Sequence, residues 1–381
     1  MNNKELSVAA GHRTAEADQK VAQCPPPRPN IPQTGCHSEN PASFPTVLRA
    51  AADGANSDLS AIGQALGMLG DRWVLLIVQR AFLLRVRTFA GWRDELGISE
   101  SVLATRLKEL VRHGILGTTA YRDGRTRYEY RLTDAGLGLW SFLLAIHSWE
   151  RDWADRPGLL APMHDTCGHD ARPYLACGTC REPVTARETA TDVGPRASFI
   201  RIGLPRHHRR TLRSGGRPDY LGYCPHSMEI LGDRWSTAVL AAALLGVKRF
   251  IDFQSRLGIA PSVLTDRLRR FVEVGVLTPD EGRLYRLTDK GLAFFEVFAF
   301  LVDWAHRELP VPEDARITIT HRPCATVLRP VLVCRACDGV LERRRVHFDL
   351  SGYEPAARRE SARDRQEPAA VAPPRVAGCA S

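Results

Sequence analysis

Apolar residues recur at helical spacing once the chain passes residue 60. Leu66, Leu69, Trp73, Leu76 and Ile77 share one face of a helix predicted within 61–83. Phe89, Trp92 and Leu96 give a second, short helix, and Gly97 interrupts the pattern. Ser99 stands where it can cap a third helix, whose Leu103, Leu107 and Leu110 fall on one face. At about 100° per residue, Ser101, Thr105 and Lys108 fall on the opposite face. Gly114 closes that helix. The period then changes to two: LGTTAYR and TRYEYRL alternate around Asp123-Gly124, the pattern of a β-hairpin. Thr133 or Asp134 caps a last, strongly apolar helix, LGLWSFLLAIHSW.

The same order occurs twice. LGDRW stands at 69–73 and 231–235, and RLTD at 131–134 and 286–289. GISESVLATRLKELVRHGIL (97–116) and GIAPSVLTDRLRRFVEVGVL (258–277) agree at 10 of 20 positions. A period of about 160 residues is a domain duplication, not a solenoid repeat. In the second copy Phe250, Phe253 and Leu257 fill the second helix, and Leu264 and Leu268 face inward in the third. Ser262, Thr265, Asp266, Arg267, Arg269 and Arg270 are candidates for its exposed face. The second hairpin is shorter by six residues and turns at Glu281-Gly282, with Arg283 near its tip; the first carries Arg122, Arg125 and Arg127.

Helix, short helix, tight turn, helix, hairpin is the winged helix-turn-helix order. Two helices hold the third with a polar face free for the DNA major groove, and wing arginines can reach phosphates or the minor groove. The expected fold is mainly α with small β-hairpins: two winged helix-turn-helix domains, each with a small zinc-ribbon-like appendage. The expected organisation is a disordered tail (1–57), copy one (58–156), a first ribbon-like segment (157–185) and a basic linker (186–220). Copy two (221–309), a second ribbon-like segment (310–350) and a disordered tail (351–381) follow. The linker holds PRHHRRTLRSGGR, either a solvated spacer or a phosphate-contacting strap.

The appendages carry the second candidate chemistry. His164-x2-Cys167-x9-Cys177-x2-Cys180 recurs with identical spacing as His321-x2-Cys324-x9-Cys334-x2-Cys337. Two x2 pairs can fold as knuckles around one tetrahedral ion, and thiolates with imidazole suit Zn²⁺. Two structural zinc sites are expected, each closed within its own copy; reduced or disulfide-bonded cysteines are the metal-free reading. His169 competes with His164 and has no histidine counterpart in copy two. Four protein ligands leave no position for a catalytic water, and the H-x-E…P-C-x-x-C deaminase pattern is missing.

Cys224 precedes the first helix of copy two, where a helix N-terminus can make a thiol reactive; a small buried hydrophobe is the alternative. Cys24, Cys36 and Cys379 fall in the expected tails and have no assigned role. The apolar helices 137–149 and 291–304 must pair with each other or with a second chain.

These blocks resemble the HxlR-type regulators, a MarR-related winged-helix group. CP followed by LGDRW (Cys224, Pro225, 231–235), KRFIDFQSRLGI, SVLTDRLRRFVEVGVL and YRLTDKG carry the resemblance, over about 58–156 and 221–309. It implies bacterial regulators that are usually single-module homodimers, DNA contacts from Arg106 and Arg267, and a cysteine at the Cys224 position that in some members senses oxidants or electrophiles. Two departures stand out: this chain is tandem, and Ile62 occupies the place of Cys224 in copy one.

Composition narrows the choice only a little. The 381 residues carry a formal charge of +9, which favours anionic partners without naming one. No apolar run spans a membrane, and the first residues lack the apolar stretch of a secretory leader, so a cytoplasmic protein is expected. No nucleophile–base pair or phosphate-cradling glycine loop points to an enzyme. The expected function is a sequence-specific regulator of double-stranded DNA. It would act as an intrachain pseudo-dimer on two half-sites, or as a homodimer of tandem chains, with an effector left unidentified. The alternative is a protein-interaction or thiol-sensor protein that uses winged helices as scaffold. Because Thr105 and Arg112 correspond to Asp266 and Glu273, copy one is expected to bind DNA more strongly, on an imperfect palindrome.

Overall fold

Asp71 and Gly70 break the first predicted helix in two. The computed structural model describes residues 61–123, 125–154, 159–195, 224–280 and 284–351, all within the unit Thr46–Ser381. In it α1 (Ala61–Leu69) stops at Gly70, where a Cβ would meet the Leu66 carbonyl oxygen at 2.5 Å. The Asp71 carboxylate then accepts from the Trp73 and Val74 backbone N–H groups and starts α2 (Arg72–Leu83). Short α3 (Phe89–Leu96) is capped by Thr88 and ends at Gly97, whose φ of +56° lies in the left-handed region. The third predicted helix is α4 (Glu100–Arg112); Ser99 holds its N-cap position without a side-chain hydrogen bond. The hairpin is β1 (Leu116–Asp123) with β2 (Arg125–Leu132), paired from Leu116↔Leu132 outward. Thr133 caps α5 (Asp134–Gly138), and α6 (Trp140–Trp153) follows. Trp92 is fully buried and donates its indole N–H to the Ile77 carbonyl at 3.0 Å, which locks α3 onto α2.

The first cysteine–histidine segment forms β3 (Pro162–His164), β4 (His169–Asp170), β5 (Tyr174–Cys177) and β6 (Thr189–Val193). The linker expected from residue 186 therefore starts later, because 189–193 is a paired strand. Beyond residue 195 that linker lies outside the described residues, as do both expected tails apart from Ser351.

Copy two repeats the plan with α7 (Pro225–Leu231), α8 (Arg234–Leu244), α9 (Phe250–Leu257) and α10 (Pro261–Glu273). A short hairpin of β7 (Leu277–Pro279) and β8 (Tyr285–Leu287) precedes α11 (Asp289–Ala293) and α12 (Phe295–Glu308). Its second cysteine–histidine segment forms β9 (Ile317–His321), β10 (Thr326–Val327), β11 (Pro330–Val333) and β12 (Val346–Phe348).

The two apolar helices pair with each other. α6 lies along α12, α1 packs on α12, and α7 packs on α6. Equivalent indoles stitch the halves: Trp149 donates to the Lys290 carbonyl at 3.0 Å, and Trp304 to the Ala135 carbonyl at 2.9 Å. Glu150 of α6, fully buried, accepts from the His226 and Ser227 backbone N–H groups and the Ser227 hydroxyl, and so caps α7 across the halves.

Candidate DNA-reading surface and cysteine–histidine clusters

Burial of Leu103, Leu107 and Leu110 turns the other side of α4 outward. Ser101, Thr105 and Lys108 are exposed there, and the Thr105 hydroxyl donates to the Ser101 carbonyl at 2.8 Å. Arg106 faces inward instead. Its guanidinium binds the Asp71 carboxylate at 2.8 Å and is only 17% exposed. One aspartate thus starts α2 and holds α4. Copy two does the same: Asp233 starts α8 and accepts from Arg267 at 2.5 Å. Arg106 and Arg267, for which the resemblance implies DNA contacts, are both engaged in internal ion pairs in this structure, because helical phase puts them at the flank, beside these carboxylates. Burial alone would raise the Asp233 carboxyl, but the Arg267 hydrogen bond and charge, with the Ser236 N–H, outweigh it and hold Asp233 below the ordinary carboxylate range.

The arginines on the outer face of α10 are paired with carboxylates as well. Ser262, Thr265 and Arg269 are exposed on α10, but Arg269 binds Asp266 at 2.8 Å and also Glu273. Arg270 is shared between Asp266 at 3.1 Å and Glu229 at 3.2 Å. The wings differ as well. β1 and β2 have eight residues each and expose Arg122 and Arg127, with Tyr128 54% exposed beside them. Arg125 lies in β2, but its side chain, like all of Arg283, falls outside the described residues. The sequence reading missed Tyr128 and the Asp71 and Asp233 anchors; the two LGDRW blocks carried the signal for the anchors.

The cysteine–histidine segments do not close separately. β5 pairs with β11, β6 with β9, and β12 with β3, all antiparallel and all between copies. Corresponding positions of the repeat therefore exchange partners, and β5–β11 joins equivalent strands. This interleaving corrects the expectation of one ion per copy. His164 and Cys167 of the first copy meet Cys334 and Cys337 of the second; Cys177 and Cys180 meet His321 and Cys324. Within each set the donor atoms all lie within 4.8 Å of one another. His164 Nδ1 is 3.5 Å from Cys167 Sγ and 3.4 Å from Cys337 Sγ, with Cys167 Sγ 3.8 Å from Cys334 Sγ. His321 Nδ1 is 3.3 Å from Cys324 Sγ and 3.4 Å from Cys180 Sγ, with Cys177 Sγ 3.9 Å from Cys324 Sγ. Metal–sulfur bonds of about 2.3 Å in a tetrahedron put sulfurs about 3.8 Å apart, so both sets fit a four-coordinate ion. His169 is exposed on β4 and outside the first set, two residues after Cys167.

The module sits on α6. Ser148 donates to the Pro173 carbonyl, and Arg151 binds Asp170 in bidentate fashion at 3.1 and 2.7 Å. His147 meets the Phe348 ring edge-on and the Leu160 carbonyl at 2.7 Å. Burial pulls the His147 imidazole down to about 4, so it is neutral and its Nε2–H donates to Leu160. Cys224 is buried at the start of α7 and borders a cavity of about 40 Å³ with Leu75, Gln79, His147 and Met228. No helix of the described residues is long and apolar enough to cross a membrane.

Two winged helix-turn-helix units with outward reader helices define the class. The HxlR-like helix-turn-helix family matches residues 68–157 and 230–312. A Mycobacterium tuberculosis protein named as an uncharacterized HTH-type transcriptional regulator is 38% identical over 149 residues, 37% of this chain and 94% of the relative. YvaP of Bacillus subtilis, with the same description, is 36% identical over 93 residues, 24% of this chain and 85% of the relative. A solved Pseudomonas aeruginosa structure, described as a candidate transcription factor, is 28% identical and covers 36% of this chain and 94% of its own, with a TM-score of 0.28. The chain belongs to the HxlR-like helix-turn-helix family, represented here twice in one polypeptide.

Proposed function

We propose that this chain reads a two-half-site operator as an intrachain pseudo-dimer. It is a DNA-binding transcriptional regulator of the HxlR-like class. The observation that carries the two-reader proposal is the reciprocal stitching of the halves, Trp149 to Lys290 and Trp304 to Ala135. Equivalent residues making equivalent contacts across the repeat are what a twofold dimer would show, and a two-half-site operator mirrors that symmetry.

Copy one supplies the main contacts in this reading. Ser101, Thr105 and Lys108 face the groove, and Arg122 and Arg127 reach the backbone, with Arg125 assigned beside them by sequence. Ser262, Thr265, Arg269 and Arg270 of copy two, with Arg283 at its wing, make the weaker half, because Asp266, Glu273 and Glu229 compete for the arginines. Arg106 and Arg267 act as positioning residues that fix each reader on its helix. Zinc is the ion assigned to both clusters, supported by three thiolates and one imidazole in each. A bound closed-shell ion there would supply folding energy rather than catalysis.

A gel-shift titration of the full chain on its own upstream region tests this reading. One chain should occupy one operator, and affinity should fall steeply as salt rises. Binding no tighter than to random DNA, or two chains per operator at all concentrations, would overturn it.

A further inference from the structure

The two cysteine–histidine clusters are built from equivalent residues, yet they are not equally enclosed. In the His164–Cys167–Cys334–Cys337 set, Cys337 is exposed; in the Cys177–Cys180–His321–Cys324 set, every ligand is buried or half-buried. Two non-ligand positions differ in step with this. Beside Cys324 stands Thr326, its hydroxyl 3.1 Å from the sulfur; the matching position two residues after Cys167 is His169, an exposed imidazole. Gly339 lies against the first set, 3.3 Å from Cys337 Sγ to the place its Cβ would take, where the repeat puts Glu182 at the second. An open edge admits a competing ligand, and a spare imidazole beside a bound thiolate offers a stepping-stone for an ion that is leaving or arriving.

We propose that the His164–Cys167–Cys334–Cys337 set is an exchangeable site for a thiophilic divalent cation, while the Cys177–Cys180–His321–Cys324 set is a permanent structural one. Both sites draw ligands from both copies, so the exchangeable ion is a removable tie between the halves. It answers to the availability of the cation: when the ion leaves, β3, β4 and the Cys334–Cys337 turn lose their common anchor while the second tie holds the module together. The proposal concerns the metal sites alone and does not depend on what the reader helices bind.

The test uses the full chain loaded with zinc and challenged with a chromogenic chelator. Iodoacetamide then labels the freed thiols, and mass spectrometry locates the labels. One equivalent of zinc should leave about tenfold or more faster than the second. The labels of the fast phase should fall on Cys167, Cys334 and Cys337 together. Release in a single phase, or a fast phase that labels Cys177, Cys180 and Cys324, overturns the proposal. A labelled set drawn from one copy, Cys167 with Cys177 and Cys180, would overturn the crossed ligation itself. Variants give an independent reading. C167S/C337S should retain one tightly held zinc and C167S/C180S none, whereas ligation within each copy predicts the reverse. H169T leaves every ligand in place and should slow the fast phase; an unchanged rate removes His169 from the exchange path.

Discussion

At the scale of single residues, Asp71 and Asp233 do the most with the least. Each accepts backbone N–H from the first turn of a helix and holds the arginine of the reader helix. Asp71→Ala should cost about 1–3 kcal/mol in urea denaturation, combining a lost cap with a half-buried arginine left without its partner. Arg106→Ala should cost a similar amount, and the double variant should lose less than the sum of the two; strict additivity would show that the pair contributes nothing. Acid acts on two groups in separate windows. His147 is held down to about 4 by burial, whereas an unfolded histidine takes its proton near 6.5. The unfolded chain therefore binds the extra proton first, and stability should decline as pH falls from about 6.5 towards 4. Asp233 lies below its ordinary value, so its contribution is complete above about 4 and is lost as pH falls through the folded value. Melting temperatures of His147→Phe and Asp233→Asn beside the parent, from pH 7 to 3, separate the two. The first variant should flatten the upper window, and the second should approach the parent only in strong acid. LGDRW showed that these aspartates recur. It could not show their partners, because helical phase tells which way Arg106 points and not what stands there.

Among the elements, the reader helices and the first wing followed from periodicity with little shift in their limits. The break between α1 and α2 did not, since the apolar stripe runs unbroken through it; only Gly70 and the helix-capping habit of Asp71 mark the place. Least legible was the pairing of β5 with β11 and of β3 with β12. Identical spacing in both copies makes an HxxC pair as good a match for its own CxxC as for the other, and no local propensity separates the two outcomes. The element contacts give two predictions. Arg122→Ala with Arg127→Ala should weaken DNA binding on all sequences alike and lower the salt slope by about one per arginine. An unchanged slope would take the wing out of the interface. Glu150→Ala strips three donors of their acceptor inside the inter-half contact and should cost about 1–3 kcal/mol or more in denaturation, whereas Glu150→Gln keeps an acceptor and should cost less.

For the whole molecule, duplication was plain in the sequence, and so was the need of two apolar helices for a partner. α6 and α12 satisfy that need within one chain. What the sequence left open was how completely the halves share: a helix cap, two indole hydrogen bonds, three strand pairings and two ligand sets all cross between them. That sharing has a consequence for dose. A regulator assembled from separate subunits occupies its operator in proportion to the square of its concentration while the subunits are scarce, and dilution switches it off sharply. Joining both readers in one polypeptide removes the assembly step, so occupancy should climb with the first power of concentration and trace a simple hyperbola. The price is the threshold: such a regulator responds gradually to its own abundance, and any abrupt switching has to come from something that acts on the folded chain.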